Sequence, residues 1–169
     1  KSNGDRKILL SELDKLEYYS KNGKKITTEH IIKLTNLIEN YSISELVDNC
    51  LANNIRKTKN ILIENNFGNE ECVLIIRTFI NRLKRILKLS TEFQENKDIN
   101  LTIASAKPAI FWKDKDITKQ QILRWSPNEI KEIIYKLNNI ELMVKKNFGN
   151  SVNLITDFIL SQVSNKTSN

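Results

Sequence analysis

Residues 69–93, NEECVLIIRTFINRLKRILKLSTEF, form the longest uninterrupted helical pattern in the chain, about seven turns at 3.6 residues each. Cys72, Ile75, Ile76, Phe79, Ile80, Leu83, Ile86, Leu87 and Phe93 recur at spacings of three and four, which makes one broad apolar face. At about 100° per residue, Arg77, Lys84, Arg85 and Lys88 collect on the opposite side. Asn69 reads as the N-cap, and Glu70 and Glu71 place negative charge where the helix dipole favours it. The apolar face predicts burial among other helices. The basic face reads first as a solvated exterior and second as a contact surface for an acidic partner or a neighbouring chain.

Outward from this helix the signals remain helical. Asp5 to Ser20 carries Ile8, Leu9, Leu13 and Leu16 on one side, and Lys21-Asn22-Gly23-Lys24-Lys25 breaks it. Thr27 is the expected cap of a second helix, with an Ile26–Ile31 staple and an apolar face of Ile31, Leu34, Leu37 and Ile38. A seam is expected at Tyr41, after which Ser42-Ile43-Ser44-Glu45 reads as a capping box opening a helix to about Leu51. A neighbour from about Asn54 to Asn65 ends at Phe67-Gly68, with Gly68 as a left-handed stop.

Beyond the central helix, Gln94–Asn100 is polar and Leu101–Ala106 weakly patterned. In Lys107-Pro108-Ala109-Ile110-Phe111-Trp112-Lys113, Pro108 suits a first helical turn and Phe111 is expected to plug the core. A helix from about Asp116 to Trp125 follows, with Trp125 buried at its end. Ser126-Pro127-Asn128-Glu129 combines cap, proline and box glutamate at the start of a helix to about Lys146. Phe148-Gly149-Asn150-Ser151 turns into a last helix. No strand alternation and no internal repeat is present, so the predicted fold is all-α.

Composition narrows the function. Forty per cent apolar and 28% charged residues are globular proportions, and no apolar run reaches the roughly 18 residues of a membrane span. With no secretory leader, a cytoplasmic protein is expected, and Asn40-Tyr41-Ser42 and Asn165-Lys166-Thr167 read as chance glycosylation matches. The start at Lys1 rather than Met suggests a piece of a longer protein. A net charge of +7 points to an acidic partner, nucleic acid first. Residues 107–146 hold nine basic against five acidic side chains and so carry most of the excess.

Chemistry of its own is not expected. There is no phosphate-cradling lysine loop, no GxGxxG and no nucleophile elbow. His30 is the only histidine, which leaves no material for a histidine-based triad or a zinc site, and no cofactor is implied. Cys50 and Cys72 lie in apolar helical patterns and read as small buried hydrophobes. The binding candidates are aromatics beside lysines: Trp112 with Lys113, and Phe148 after Lys145 and Lys146. Such pairs suit stacking on an unpaired base with a phosphate contact alongside. Their bland reading is as core plugs.

Several segments, in order, resemble the delta subunit of the bacterial DNA polymerase III clamp loader. Gly4-Asp5-Arg6 followed by Leu10-Ser11-Glu12-Leu13-Asp14-Lys15-Leu16-Glu17-Tyr18, and Lys25-Ile26-Thr27-Thr28-Glu29-His30-Ile31, are similar to that family's lid domain. Phe67-Gly68 with Ile75-Ile76-Arg77-Thr78-Phe79 resembles the start of its long collar helix. Pro108-Ala109-Ile110-Phe111-Trp112-Lys113 and Leu123-Arg124-Trp125-Ser126 look like the alphaproteobacterial variant. Ile140-Glu141 with Lys145, then Phe148-Gly149-Asn150-Ser151, resembles the closing two helices.

The resemblance implies the end of an AAA+ lid domain (residues 1–40) followed by a collar domain (residues 41–169) that joins the loader ring. The implied partners are the gamma/tau and delta prime subunits and primer–template DNA. The sliding clamp would be reached only through an N-terminal domain outside this sequence. Family aromatics matching Trp112 and Phe148 face DNA, Phe148 standing where a tyrosine is frequent, and ATP hydrolysis belongs to partner subunits. The basic set Arg77, Lys84, Arg85 and Lys88 would then meet DNA or another subunit. The alternative is a stand-alone helical nucleic-acid-binding protein using that set as its electrostatic track.

Overall fold

The computed structural model describes residues 6–21, 23, 25–34 and 37–164; the side chains of 6–9, 12, 32–34 and 37–41 lie outside the description. Every regular element among the described residues is helical, as the sequence predicts. None of these helices is long and apolar enough to cross a membrane. The chain divides into two units, residues 1–44 and 45–169.

The first unit pairs α1 (Arg6–Ser20) with α2 (Thr28–Leu34). Gly23 at φ 71° takes the left-handed turn between them, a conformation that costs glycine nothing. Thr27 caps α2 as expected, its hydroxyl accepting the backbone N–H of His30 at 3.4 Å. His30 leans back on Tyr19 of α1, ring centroids 5.1 Å apart. Leu13, expected on the buried side of α1, is half exposed. Ile8 and Leu9, from the same expected face, lie outside the described side chains.

α3 (Leu37–Leu51) runs through the expected seam. Ser42 therefore lies inside a helix and not at its start, where backbone N–H groups would lack intrahelical acceptors. Glu45, its supposed box partner, instead pairs with Lys57 at 2.7 Å.

The second unit is organised by α5 (Asn69–Asn96), which follows α4 (Ile55–Asn65). The left-handed stop of α4 is Asn66 (φ 44°), not Gly68, which is extended and serves as N-cap of α5 in place of Asn69. Glycine has no side chain to cap with. What closes this start is the Glu71 carboxylate, which accepts the Gly68 N–H at 2.8 Å.

After α5 comes α6 (Ile99–Ser105), which the sequence reading leaves unassigned. Asp98 starts it by accepting the N–H groups of Asn100 and Leu101. Then come a 3₁₀ turn (Trp112–Asp114), α7 (Lys115–Arg124), α8 (Pro127–Lys146), a second 3₁₀ turn (Phe148–Asn150) and α9 (Ser151–Ser164). Ser126 and Glu129 form the predicted reciprocal cap of α8.

α5 packs on α6, α7, α8 and α9. It runs antiparallel to α8: Arg77 pairs with Glu141 near the end of α8, while Ser90 donates to the carbonyl of Trp125 just before its start. Cys72, Ile75, Ile76, Phe79, Leu83 and Ile86 are buried, and Leu89 joins them. They meet Ile130, Ile133, Leu137, Ile140 and Val144 of α8 and Ile155, Phe158, Ile159 and Val163 of α9. Phe79 sets its ring edge-on to Phe158 at 5.5 Å, a favoured aromatic geometry. A second cluster, Leu89, Ile103, Ala106, Ile110 and Ile122, fastens α6, α7 and the segment between them to the far end of α5.

Candidate functional site

Between α6 and the first 3₁₀ turn the chain is irregular, so Pro108 does not open a helix. Ala106 and Ile110 are buried and hold the two ends of this segment by apolar contact. From α5, Arg85 Nη2 donates to the carbonyls of Pro108 (2.9 Å) and Ala109 (3.5 Å). Asp114 N–H closes the following turn on the Phe111 carbonyl, and Thr118 Oγ1 donates to the Asp114 carbonyl.

Two aromatics project from this support. Trp112 is 68% exposed and Phe111 58%. Helical geometry predicts burial of Phe111. The backbone is instead extended there (φ −61°, ψ 141°), and Ile110 supplies the plug. The two rings tilt against each other at 5.8 Å. Lys113 Nζ lies 5.2 Å from the centre of the Trp112 ring, a cation–π contact worth about 0.5–1 kcal/mol at an exposed site. Lys107 and Lys115 are also exposed on either side of the pair.

The second candidate group sits at the other end of α8. Phe148 is 52% exposed on its 3₁₀ turn, and its carbonyl accepts from Ser151 Oγ at 2.6 Å. Lys145 is held by Glu141 at 2.7 Å, a carboxylate that also faces Arg77 at 3.8 Å, while Lys146 is exposed. The first 3₁₀ turn packs on α7 and the second on α5, α8 and α9, so the two groups do not touch. Their anchors on α5, Arg85 and Arg77, are about 12 Å apart along the helix at 1.5 Å per residue.

The basic face of α5 is not uniform. Lys84 and Lys88 are exposed, and Lys88 reaches Glu92 at 4.0 Å. Arg77 is partly neutralised by Glu141, and Arg85 is turned into the Pro108–Ala109 bracket. Comparison of the chain with known protein families, with curated proteins and with solved structures returns no match.

Two features escape the sequence reading. Asp48 on α3 takes both Arg82 Nε and Nη2 at 3.0 Å, and Gln121 Nε2 of α7 donates to the Asp48 carbonyl at 2.9 Å. Burial pushes the Asp48 carboxyl above the usual range, with Arg82 pulling the other way. The second is Arg124, which donates to the carbonyls of Cys50, Leu51 and Gln162. Neither is visible as a motif, because each joins residues more than thirty positions apart. Trp125, expected in the core, is 6% exposed and donates to the Leu51 carbonyl at 2.8 Å. Cys50 and Cys72 are buried free thiols, as expected.

Proposed function

We propose that this chain is a non-catalytic subunit of a DNA polymerase III clamp loader, of the delta type. In this reading residues 41–169 are a collar that joins gamma/tau and delta prime neighbours and lies beside primer–template DNA. The ordered set of motifs from Gly4 to Ser151 supports it, and so does the all-α fold. The observation that carries it is the exposure of the two aromatics assigned to DNA, Trp112 and Phe148, in a chain whose other tryptophan is buried. An exposed indole with an ammonium over its ring offers both the face and the charge that an unpaired nucleotide needs.

Co-purification with the gamma/tau and delta prime subunits tests the assembly half. A complex that forms and then binds primer–template DNA supports the reading. Failure to join any of those subunits, with tight and steeply salt-dependent DNA binding by the chain alone, would establish a stand-alone binder instead.

A further inference from the structure

We propose that Arg85 is the positioning residue of the Phe111–Trp112 platform, an inference that rests on the reading of Trp112 as a base-stacking surface. Sequence spacing places Arg85 among the basic residues of α5 that would meet phosphate. Its guanidinium is spent elsewhere. Nη2 donates at 2.9 Å to the Pro108 carbonyl and at 3.5 Å to that of Ala109, the two exposed residues midway between the buried anchors Ala106 and Ile110. The segment is thereby fixed at three places: by apolar burial at each end and by a charge-assisted hydrogen bond at its crest.

Phe111 and Trp112 leave the protein directly after the third anchor, so any slack in the segment is transmitted to their rings. A stacking surface gains affinity when it is held in place before the ligand arrives, because less freedom is lost on binding. Arginine suits this task better than lysine. Its planar guanidinium aims the two N–H bonds of Nη2 at the neighbouring carbonyls of Pro108 and Ala109 in fixed geometry, whereas an ammonium on a flexible stem is not pre-aimed.

The test uses Arg85→Met, which removes charge and donors but keeps a long stem, and Arg85→Lys, which keeps the charge. The chain has two indole N–H groups, and their nitrogen–proton NMR signals can be assigned with Trp112→Phe. In Arg85→Met the Trp112 signal should shift and broaden, while the Trp125 signal, pinned to the Leu51 carbonyl, stays in place. Arg85→Lys should lie between wild type and Arg85→Met. It also keeps the question open to measurement should Arg85→Met fail to fold. An unmoved Trp112 signal in both variants overturns the proposal.

The second arm measures primer–template binding by the chain assembled with its partner subunits, at several salt concentrations. Arg85→Met should lower affinity about two- to tenfold, the range for one loosened side chain, with the salt slope unchanged. It should cause no further loss in a Trp112→Ala background. A salt slope smaller by about one would mean that Arg85 contacts phosphate, and the positioning role falls. If the Trp112 signal moves but neither Arg85→Met nor Trp112→Ala affects DNA binding, the bracket stands and the DNA reading fails.

Discussion

The Arg124 guanidinium lies 4.4 Å over the Trp125 ring, and both side chains donate to the carbonyl of Leu51. Arg124 reaches further, to Cys50 at 2.9 Å and to Gln162 at 2.6 Å. These carbonyls belong to the last turns of α3 and α9, where backbone acceptors have no intrahelical donor and the helix dipole is negative. One cation thus closes two helix ends at once, with the indole ring beneath it. Lysine offers a single point charge and cannot serve both ends. Arg124→Lys should cost about 2 kcal/mol in urea unfolding, the scale of a charged hydrogen bond lost from a partly buried site. A loss under about 0.5 kcal/mol would reduce the contact to an ordinary surface interaction.

Trp112 and Phe148 should behave in the opposite way. Both are more than half exposed, so Trp112→Ala and Phe148→Ala should change folding stability by no more than about 0.5 kcal/mol. Each should weaken primer–template binding by the assembled loader by about 1–3 kcal/mol, the worth of one base stacked on an aromatic. Thermal melting and DNA titration decide between the two roles. A large melting loss with unchanged DNA affinity would return both rings to the core.

What can be read in advance follows from the range of the forces. The apolar stripes of α5 and α8 repeat over many turns, and the Ser126–Glu129 cap joins residues three apart, so periodicity and spacing capture them. α6 escapes because its seven residues are too few to show a period, and its start depends on the short polar ring of Asn96, Asp98 and Thr102. Asp98 ahead of Asn100 is a usable signal for that cap. The Ser42–Glu45 pattern misleads for a physical reason: a capping box needs a free helix start, and α3 is already running there. Arg85 looks like its basic neighbours on the helix, since nothing local reveals that the Pro108 carbonyl sits 2.9 Å away.

The two cysteines offer a test of packing. Burial pushes the Cys50 thiol up to about 12, and burial with help from Glu71 raises Cys72 as well. The thiolate is the reactive form, so at pH 8 Cys50 should alkylate far more slowly than a free cysteine, and Cys72 more slowly. Denaturant should release both. The measurement is mass spectrometry after timed exposure to iodoacetamide, and prompt labelling of Cys50 in the native protein would contradict its full burial.

Asp48 gives a pH dependence whose sign can be worked out. Two effects compete at its carboxyl: burial favours the neutral acid, while Arg82 and the Gln121 amide favour the charged form, and the Asp114 charge adds to burial. Burial is the larger, and the group titrates above its ordinary 3.8. A carboxyl raised in the folded state binds its proton more tightly there than in the unfolded chain. Stability from that difference is fully present below 3.8 and is lost as pH rises through the raised value. An amide at this position does not titrate, so the stability of wild type minus that of Asp48→Asn isolates this proton. Urea unfolding of both proteins across the acid range should show that difference shrinking as pH increases from 3.8. A difference that grows instead would mean that the Arg82 pair, with its two 3.0 Å contacts, outweighs the cost of taking the carboxylate out of water.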